Sequence, residues 1–166
     1  MIGTKMITTS LKIVIPAFML FTLSSLTISQ IEVWKNSEIL WNYVIATSPT
    51  PIPVAYNNLG IFYAGTGDYP QAISEYKKAI KVNPYYAEAH NNLGIVYARA
   101  NRYRKAISEY KKAIALKPNY AKAYNNLAVA HYYTHNYRVA VKYCDKALQL
   151  GYRVHPEFLK LLLPYR

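Results

Sequence analysis

Pairs of asparagine recur at one position of the chain and are the residues best suited to contact another molecule. The pairs are Asn57-Asn58, Asn91-Asn92 and Asn125-Asn126. Asparagine is a poor helix former that prefers caps and turns, so its return within helical stretches requires a reason. A carboxamide can donate to and accept from an extended peptide backbone. The spacing therefore predicts either a row of peptide-binding amides or a set of amides that bond between neighbouring helices.

Two basic and two aromatic residues accompany these pairs. Arg99 and Lys122 would attract acidic side chains to the same surface, and Tyr132 and Tyr133 would add aromatic contacts near the third pair. The residues predicted to line a peptide-binding groove are therefore Asn57, Asn58, Asn91, Asn92, Asn125, Asn126, Arg99, Lys122, Tyr132 and Tyr133.

Sequence motifs of catalysis and cofactor binding are missing. The chain has no glycine-rich phosphate loop, paired-cysteine metal site or nucleophile elbow, and its acidic residues past position 50 stand singly. His131 and His135 have the spacing of metal ligands on one helix. His135 falls in an expected turn, however, and His131 on a packing position. We therefore expect no enzymatic activity, no cofactor and no metal.

The asparagine pairs belong to a sequence that repeats every 34 residues, with copies at 53–86, 87–120 and 121–154. A period of this length is typical of stacked helical hairpins. Each copy has a small residue early in its first helix: Gly60, Gly94 and Ala128. We expect this small residue to admit a close approach of the second helix, at an alanine: Ala72, Ala106 and Ala140. Asp68 is predicted to cap a helix, and Pro84 and Pro118 to end the hairpins.

These positions resemble the tetratricopeptide repeat. The matching positions are Tyr56/His90/Tyr124, Leu59/Leu93/Leu127, Tyr63/Tyr97/His131, Ala72/Ala106/Ala140, Tyr76/Tyr110/Cys144 and Ala79/Ala113/Ala147. The resemblance implies an all-α, three-repeat solenoid, in which the second asparagines correspond to a ladder on the inner surface. Some three-repeat relatives clamp carboxylates of acidic peptides. Asn92 and Lys122 match that clamp, but Asn57, Ile61 and Asn126 do not, so we do not expect it.

Residues 13–31 carry no charge and are long enough for a helix that crosses a membrane. A cleaved signal peptide and a buried helix are the alternatives, although no small-residue cleavage site follows the run. Lys5 and Lys12 precede it, whereas the charges after it nearly cancel. The excess of positive charge predicts a single-pass membrane protein with a cytoplasmic N-terminus and extracytoplasmic repeats.

The segments that flank the repeats are also predicted to be helical. Residues 32–52 form a juxtamembrane helix, or half of a degenerate repeat, followed by a proline-rich linker. The chain has an apolar span, then a segment with two tryptophans, then the repeats. This order resembles the C-terminal end of polytopic membrane proteins that carry such repeats, some of which are glycosyltransferase-like. Residues 155–166 are predicted to form an apolar capping helix over the last repeat. Residues 1–31 are predicted to be an N-terminal tail followed by the membrane anchor.

The chain is basic, with a net charge of +12, of which +11 lies past residue 50. This balance favours acidic partners, although lysines on the second helices are also typical of a solvated face. We expect a membrane-anchored scaffold that binds an extended segment of another protein in a concave groove. An accessory part of a membrane glycosyltransferase and an electrostatic binder of anionic polymer are the alternatives. The extracytoplasmic placement argues against nucleic acid. The single cysteine, Cys144, is predicted to be a buried thiol.

Overall fold

The computed structural model describes residues 37–166, which form eight α-helices and a short 3₁₀ turn, with no strand in this range. The helices are α1 (Ser37–Thr47), α2 (Pro53–Thr66), α3 (Tyr69–Val82), α4 (Ala87–Arg99), α5 (Tyr103–Leu116), α6 (Ala121–Tyr133), α7 (Tyr137–Gln149) and α8 (Pro156–Leu162). The predicted all-α solenoid is confirmed for these residues.

The predicted transmembrane segment, 13–31, lies outside the described residues. Between residues 37 and 166, each helix is too short or too polar to cross a membrane.

The helices stack as three hairpins. α2 packs on α3, α4 on α5 and α6 on α7, and the hairpins join where α3 meets α4 and α5 meets α6. The first helices of the hairpins also touch one another directly, α2 against α4 and α4 against α6. Three first helices therefore form one continuous surface, which is where the asparagine pairs lie.

The turn inside each hairpin has one residue in the left-handed backbone conformation, at the same position of each repeat. Gly67, Asn101 and His135 have φ of 86°, 56° and 61°. Asparagine and histidine tolerate this conformation better than most side chains. In the first hairpin the Asp68 carboxylate then accepts from the Gln71 backbone N–H at 3.1 Å. The predicted cap is therefore confirmed.

The close contact at the small residues differs from the expectation. A Cβ at Gly60 would lie 2.7 Å from Cε1 of Tyr76, and one at Gly94 would lie 2.5 Å from Cε1 of Tyr110. The nearest atoms to these glycines are thus tyrosine rings rather than the predicted alanines, which are themselves fully buried. The glycines make room for a ring, because real Cβ atoms do not approach another carbon so closely.

The chain after the third hairpin folds back onto α7. Gly151, at φ 79°, turns the backbone out of α7, and the Tyr152 N–H donates to the Ala147 carbonyl at 2.9 Å. Leu162 is fully buried, and Phe158 and Leu159 pack beside Cys144 in the same cluster. Leu161 and Leu163, which belong to the predicted capping segment, are exposed instead. A helix of seven residues turns only one side towards its neighbour.

The first helix, α1, packs on α2. The Tyr63 hydroxyl donates to the Glu38 carboxylate at 2.8 Å. This bond raises the pKa of the Tyr63 phenol, with burial adding to the effect.

Candidate peptide-binding groove

A cleft of about 310 Å³ lies between α2 and α4 on the surface made by the first helices. Asn92 and Arg99 of α4 and Lys122 of α6 lie on it, so three of the predicted residues come together. The rest of its lining is mostly apolar and comprises Ile61, Ala64, Gly65, Tyr76, Ile95 and Val96. We call this cleft the groove. An apolar floor with a few polar groups at its edge is typical of ligand sites.

The asparagines form a hydrogen-bonded network that crosses the seams between hairpins. Asn92 Nδ2 donates to Asn57 Oδ1 at 3.0 Å, and Asn126 Nδ2 donates to Asn91 Oδ1 at 3.0 Å. Within the first two pairs, the first amide reaches the oxygen of the second at 3.5 Å. The network therefore fixes the positions of Asn92 and Asn126 relative to the previous repeat.

In the first two repeats, the two asparagines of a pair differ in exposure. Asn57 and Asn91 are 4% and 0% exposed, whereas Asn58, Asn92 and Asn126 are half-buried. Buried amides must have partners, and the seam bonds supply them for the first residues. Asn92 donates one N–H to Asn57 and accepts one from Asn91. Its amide therefore keeps one further N–H donor and one further lone pair. The first asparagines thus orient the second, whose remaining groups can face a peptide.

The two cations hold different positions at the groove. Arg99 Nη1 donates to the Ala64 carbonyl at 3.3 Å, which ties the end of α4 to the end of α2. A guanidinium has five N–H donors, so most of them stay available. Lys122 is exposed. At the floor, burial raises the pKa of Tyr76 to about 12, although the charge of Arg99 lowers it slightly. The phenol is therefore neutral near pH 7.

Three other predicted residues lie elsewhere. Asn125 lines a cleft of about 470 Å³ formed with the C-terminal segment, beside Arg153 and Phe158. Tyr132 packs edge-on against Phe158 at 5.9 Å between ring centroids. Tyr133 stacks on Tyr103 at 5.0 Å, in the hairpin turns. The structure thus places both tyrosines among α5, α7 and α8 rather than at the groove.

The apolar floor of the groove was missed by sequence reasoning. Ile61 and Ile95 line it from α2 and α4, and Ile61 is 49% exposed. They follow Gly60 and Gly94 at the same position of successive repeats. The isoleucine that follows the glycine in both repeats was the sequence signal that could have found them.

A buried contact between a histidine and a glutamate was also missed. His90, expected only to fill a packing position, places Nδ1 2.7 Å from Glu109 Oε2 and Nε2 3.2 Å from the Pro84 carbonyl. Both partners are acceptors, so both bonds form together only when the imidazole carries two protons. Burial raises the pKa of Glu109, but hydrogen bonds from His90 and Lys112 outweigh it, so the net pKa is lowered.

His131 and His135 are the two histidines with the sequence spacing of metal ligands. Both ring nitrogens of His131 are buried without a hydrogen-bond partner, whereas His135 Nδ1 lies 2.8 Å from the Tyr137 hydroxyl. Across residues 37–166, no three histidine, cysteine or acidic side chains come together as a metal site requires. The chemistry that the groove itself offers is recognition through hydrogen bonds, charge and apolar contact.

Comparison with known families and structures agrees with this architecture. Sequence models described as tetratricopeptide repeat match residues 51–119 and 121–156. The sequence has no match among curated proteins.

Three solved structures illustrate the likeness. The crystal structure of MamA is 32% identical with a TM-score of 0.63; the match covers 69% of this chain and 66% of MamA, just under two thirds of its length. The first tetratricopeptide domain of Spaghetti (RPAP3), bound to the HSP90 peptide SRMEEVD, is 26% identical with a TM-score of 0.63, over 68% of this chain and 88% of that one. The TPR2B domain of yeast Sti1 in a pHsp70 complex is 28% identical with a TM-score of 0.58, over 59% and 78%.

The matched segments, taken together, run from the linker before α2 to the start of α8 and include all three hairpins. The chain therefore belongs to the tetratricopeptide repeat family.

Proposed function

We propose that the chain is a scaffold that binds an extended, acidic segment of another protein in the groove. The observation that carries this proposal is the convergence of Asn92, Arg99 and Lys122 on one apolar-floored cleft. The free donor and acceptor of Asn92 suit a peptide backbone, and the two cations suit carboxylates.

The structural neighbours support a peptide partner. The Spaghetti domain is bound to a peptide that contains three acidic residues, and the Sti1 domain is in a complex with pHsp70. Tetratricopeptide proteins are typically non-enzymatic scaffolds, which agrees with a groove built for recognition.

The groove also differs from a pure carboxylate site. Ile61 and Ile95 give it an apolar floor, and Asn57 is used within the seam. We expect a bound segment to place an apolar side chain on the isoleucines and an acidic one near Lys122. Apolar burial would then contribute affinity, and charge would contribute mainly orientation and association rate.

A peptide array tests this function. The full chain, kept in detergent, is applied to 12-residue extended peptides that vary in charge and apolar content. We expect bound peptides to be enriched in aspartate and glutamate, and Asn92→Ala with Lys122→Gln to weaken binding by at least roughly tenfold. Lys105→Gln, a cation outside the groove, is the matched control for charge. Bound peptides without acidic enrichment, or equal loss in the control, would contradict the proposal.

The membrane anchor is a separate part of the proposal and rests on the uncharged run at 13–31. Protease added to intact cells should digest the repeats and leave a membrane-bound N-terminal fragment. Repeats that stay protected until the cells are lysed would place them on the other side. Release of the whole chain by salt or carbonate washing would exclude an integral anchor.

A further inference from the structure

The second helices of the first two repeats place a glutamate at the same position, and each glutamate has a lysine partner. Glu75 Oε1 lies 2.6 Å from Lys78 Nζ, and Glu109 Oε1 lies 2.7 Å from Lys112 Nζ. Both carboxylates are mostly buried, and Glu109 also pairs with His90 of the first helix. A mostly buried carboxylate paired with this lysine is thus common to the first two repeats.

The third repeat keeps the lysine and loses the carboxylate. Lys146 corresponds to Lys78 and Lys112, but Tyr143 replaces the glutamate. No acidic side chain among residues 37–166 pairs with Lys146 or with Lys142, one turn earlier on α7. The first two repeats therefore have a glutamate carboxylate beside this lysine, and the third repeat has none.

An open cleft of about 380 Å³ lies at this position. Tyr124 of α6 and Lys142, Tyr143, Lys146 and Gln149 of α7 line it. The rings of Tyr124 and Tyr143 are 6.2 Å apart and tilted by 35°, so they form an aromatic wall beside the two ammonium groups. Two lysines one turn apart repel each other unless an anion lies between them.

We propose that this third-repeat cleft binds a carboxylate side chain of a partner protein, which takes the place that glutamate holds in the other repeats. The carboxylate would accept from Lys142 and Lys146, and the neighbouring side chain of the partner would pack on Tyr124 and Tyr143. The cleft shares no lining residue with the groove, so it is a second docking point. A partner that engaged both sites would gain affinity by linkage.

Titration by two-dimensional NMR tests the site, with the peptide acetyl-Glu-Phe-Glu-amide as the probe and the full chain in detergent. We expect shifts at Tyr124 and along residues 142–149. Acetyl-Gln-Phe-Gln-amide should bind at least about tenfold more weakly, as expected for loss of charged hydrogen bonds.

Two variants separate this site from general electrostatics. Tyr143→Glu restores the pattern of the other repeats, so its own carboxylate should pair with Lys146 and abolish probe binding. Arg138→Gln is the matched control, because it lowers the net charge by the same amount on α7 outside the cleft. Its dissociation constant should stay within about twofold of the original, since a distant surface charge contributes little.

Binding that persists in Tyr143→Glu, equal loss in Arg138→Gln, or shifts at Ile61 and Lys122 instead would overturn the proposal. Equal binding of the glutamine peptide would do the same. This inference is independent of the proposed function. The groove variants Asn92→Ala and Lys122→Gln should not change binding of the probe at the third-repeat cleft, so either proposal can fail without the other.

Discussion

The side-chain amide of Asn126 donates to Oδ1 of Asn91 across the seam between the second and third repeats, at 3.0 Å. Asn92 makes the same bond to Asn57 one repeat earlier. Because the acceptors are buried, these bonds satisfy amides that would otherwise lack partners. The bond from Asn92 also holds that amide at the groove, so stability and the proposed recognition share this side chain.

Asn91→Ala tests the structural half of this relationship. The substitution removes a fully buried amide that accepts from Asn126 and donates to Asn92. We expect the free energy of unfolding to fall by about 1–3 kcal/mol, measured by urea denaturation followed by circular dichroism. Asn125→Ala, at the same position of the last repeat and half-buried, is the control and should cost less. Equal losses would mean that the seam bonds contribute nothing specific.

Gly94→Ala tests the fit of tyrosine rings over the glycines. The new Cβ would lie 2.5 Å from Tyr110, which is buried, so the ring or the helix must move. We expect a loss of about 1–3 kcal/mol, although alanine favours a helix by roughly 1 kcal/mol. Gly65→Ala is the control, because nothing lies within 4 Å of its Cβ position. It should be neutral or stabilising. A stable Gly94→Ala variant would show that the ring adapts freely.

Sequence reasoning succeeded where the determinants are local. The 34-residue period, Asp68 as a cap and the prolines after α3 and α5 lead directly to the helices, because caps and prolines act on their own backbone. It could not show which side chains meet across helices. The ring of Tyr110 over Gly94 and the hydrogen bond between His90 and Glu109 depend on how two helices are rotated against each other.

The groove was predictable in part for the same reason. The asparagine period indicated the surface, but only the packed hairpins show that Asn57 and Asn91 turn inward while Asn58 and Asn92 stay half-buried. Tyr132 and Tyr133 were assigned by proximity in sequence. The end of α6 instead directs them towards α5 and α8.

Stability should fall as the pH is lowered from neutrality, in two stages. Burial lowers the pKa of His131, and the charge of Lys111 adds to this, so the unfolded chain binds the proton first. That contribution is present above the ordinary histidine pKa of about 6.5 and is lost below it. Glu109 also has a lowered pKa, so its contribution is lost next, below the ordinary glutamate value of about 4.3.

Thermal melts from pH 8 to pH 3 measure both stages. His131→Tyr introduces the residue found at this position in the other repeats and should remove the first stage while keeping the second. Glu109→Gln should reduce the second. A melting temperature that stays constant across the histidine range in the original chain would show that His131 does not contribute.

Cys144 should react slowly with thiol reagents while the chain is folded. Its side chain is fully buried, as predicted, and burial raises the pKa of the thiol, with Asp145 adding to the effect and Arg166 opposing it. Modification by Ellman's reagent should be at least roughly a hundredfold slower than in concentrated guanidinium, since it requires local opening. Arg166→Ala, which releases the C-terminal contact to Asp145, should speed it. Immediate reaction in the native state would contradict this packing of α7 and α8.

The most direct test of the groove as the binding surface is site-specific photo-crosslinking to the acidic peptide that the array binds most tightly. A photoreactive phenylalanine analogue replaces Ile61 in one variant and Val82 in another, at positions 49% and 38% exposed, and only Ile61 lies on the groove. Val82, at the end of α3, lines neither the groove nor the third-repeat cleft. We predict a crosslink from position 61 that excess unlabelled peptide removes, and none from position 82. A crosslink from position 82 alone, or equal yields from both positions, would contradict the assignment of the groove.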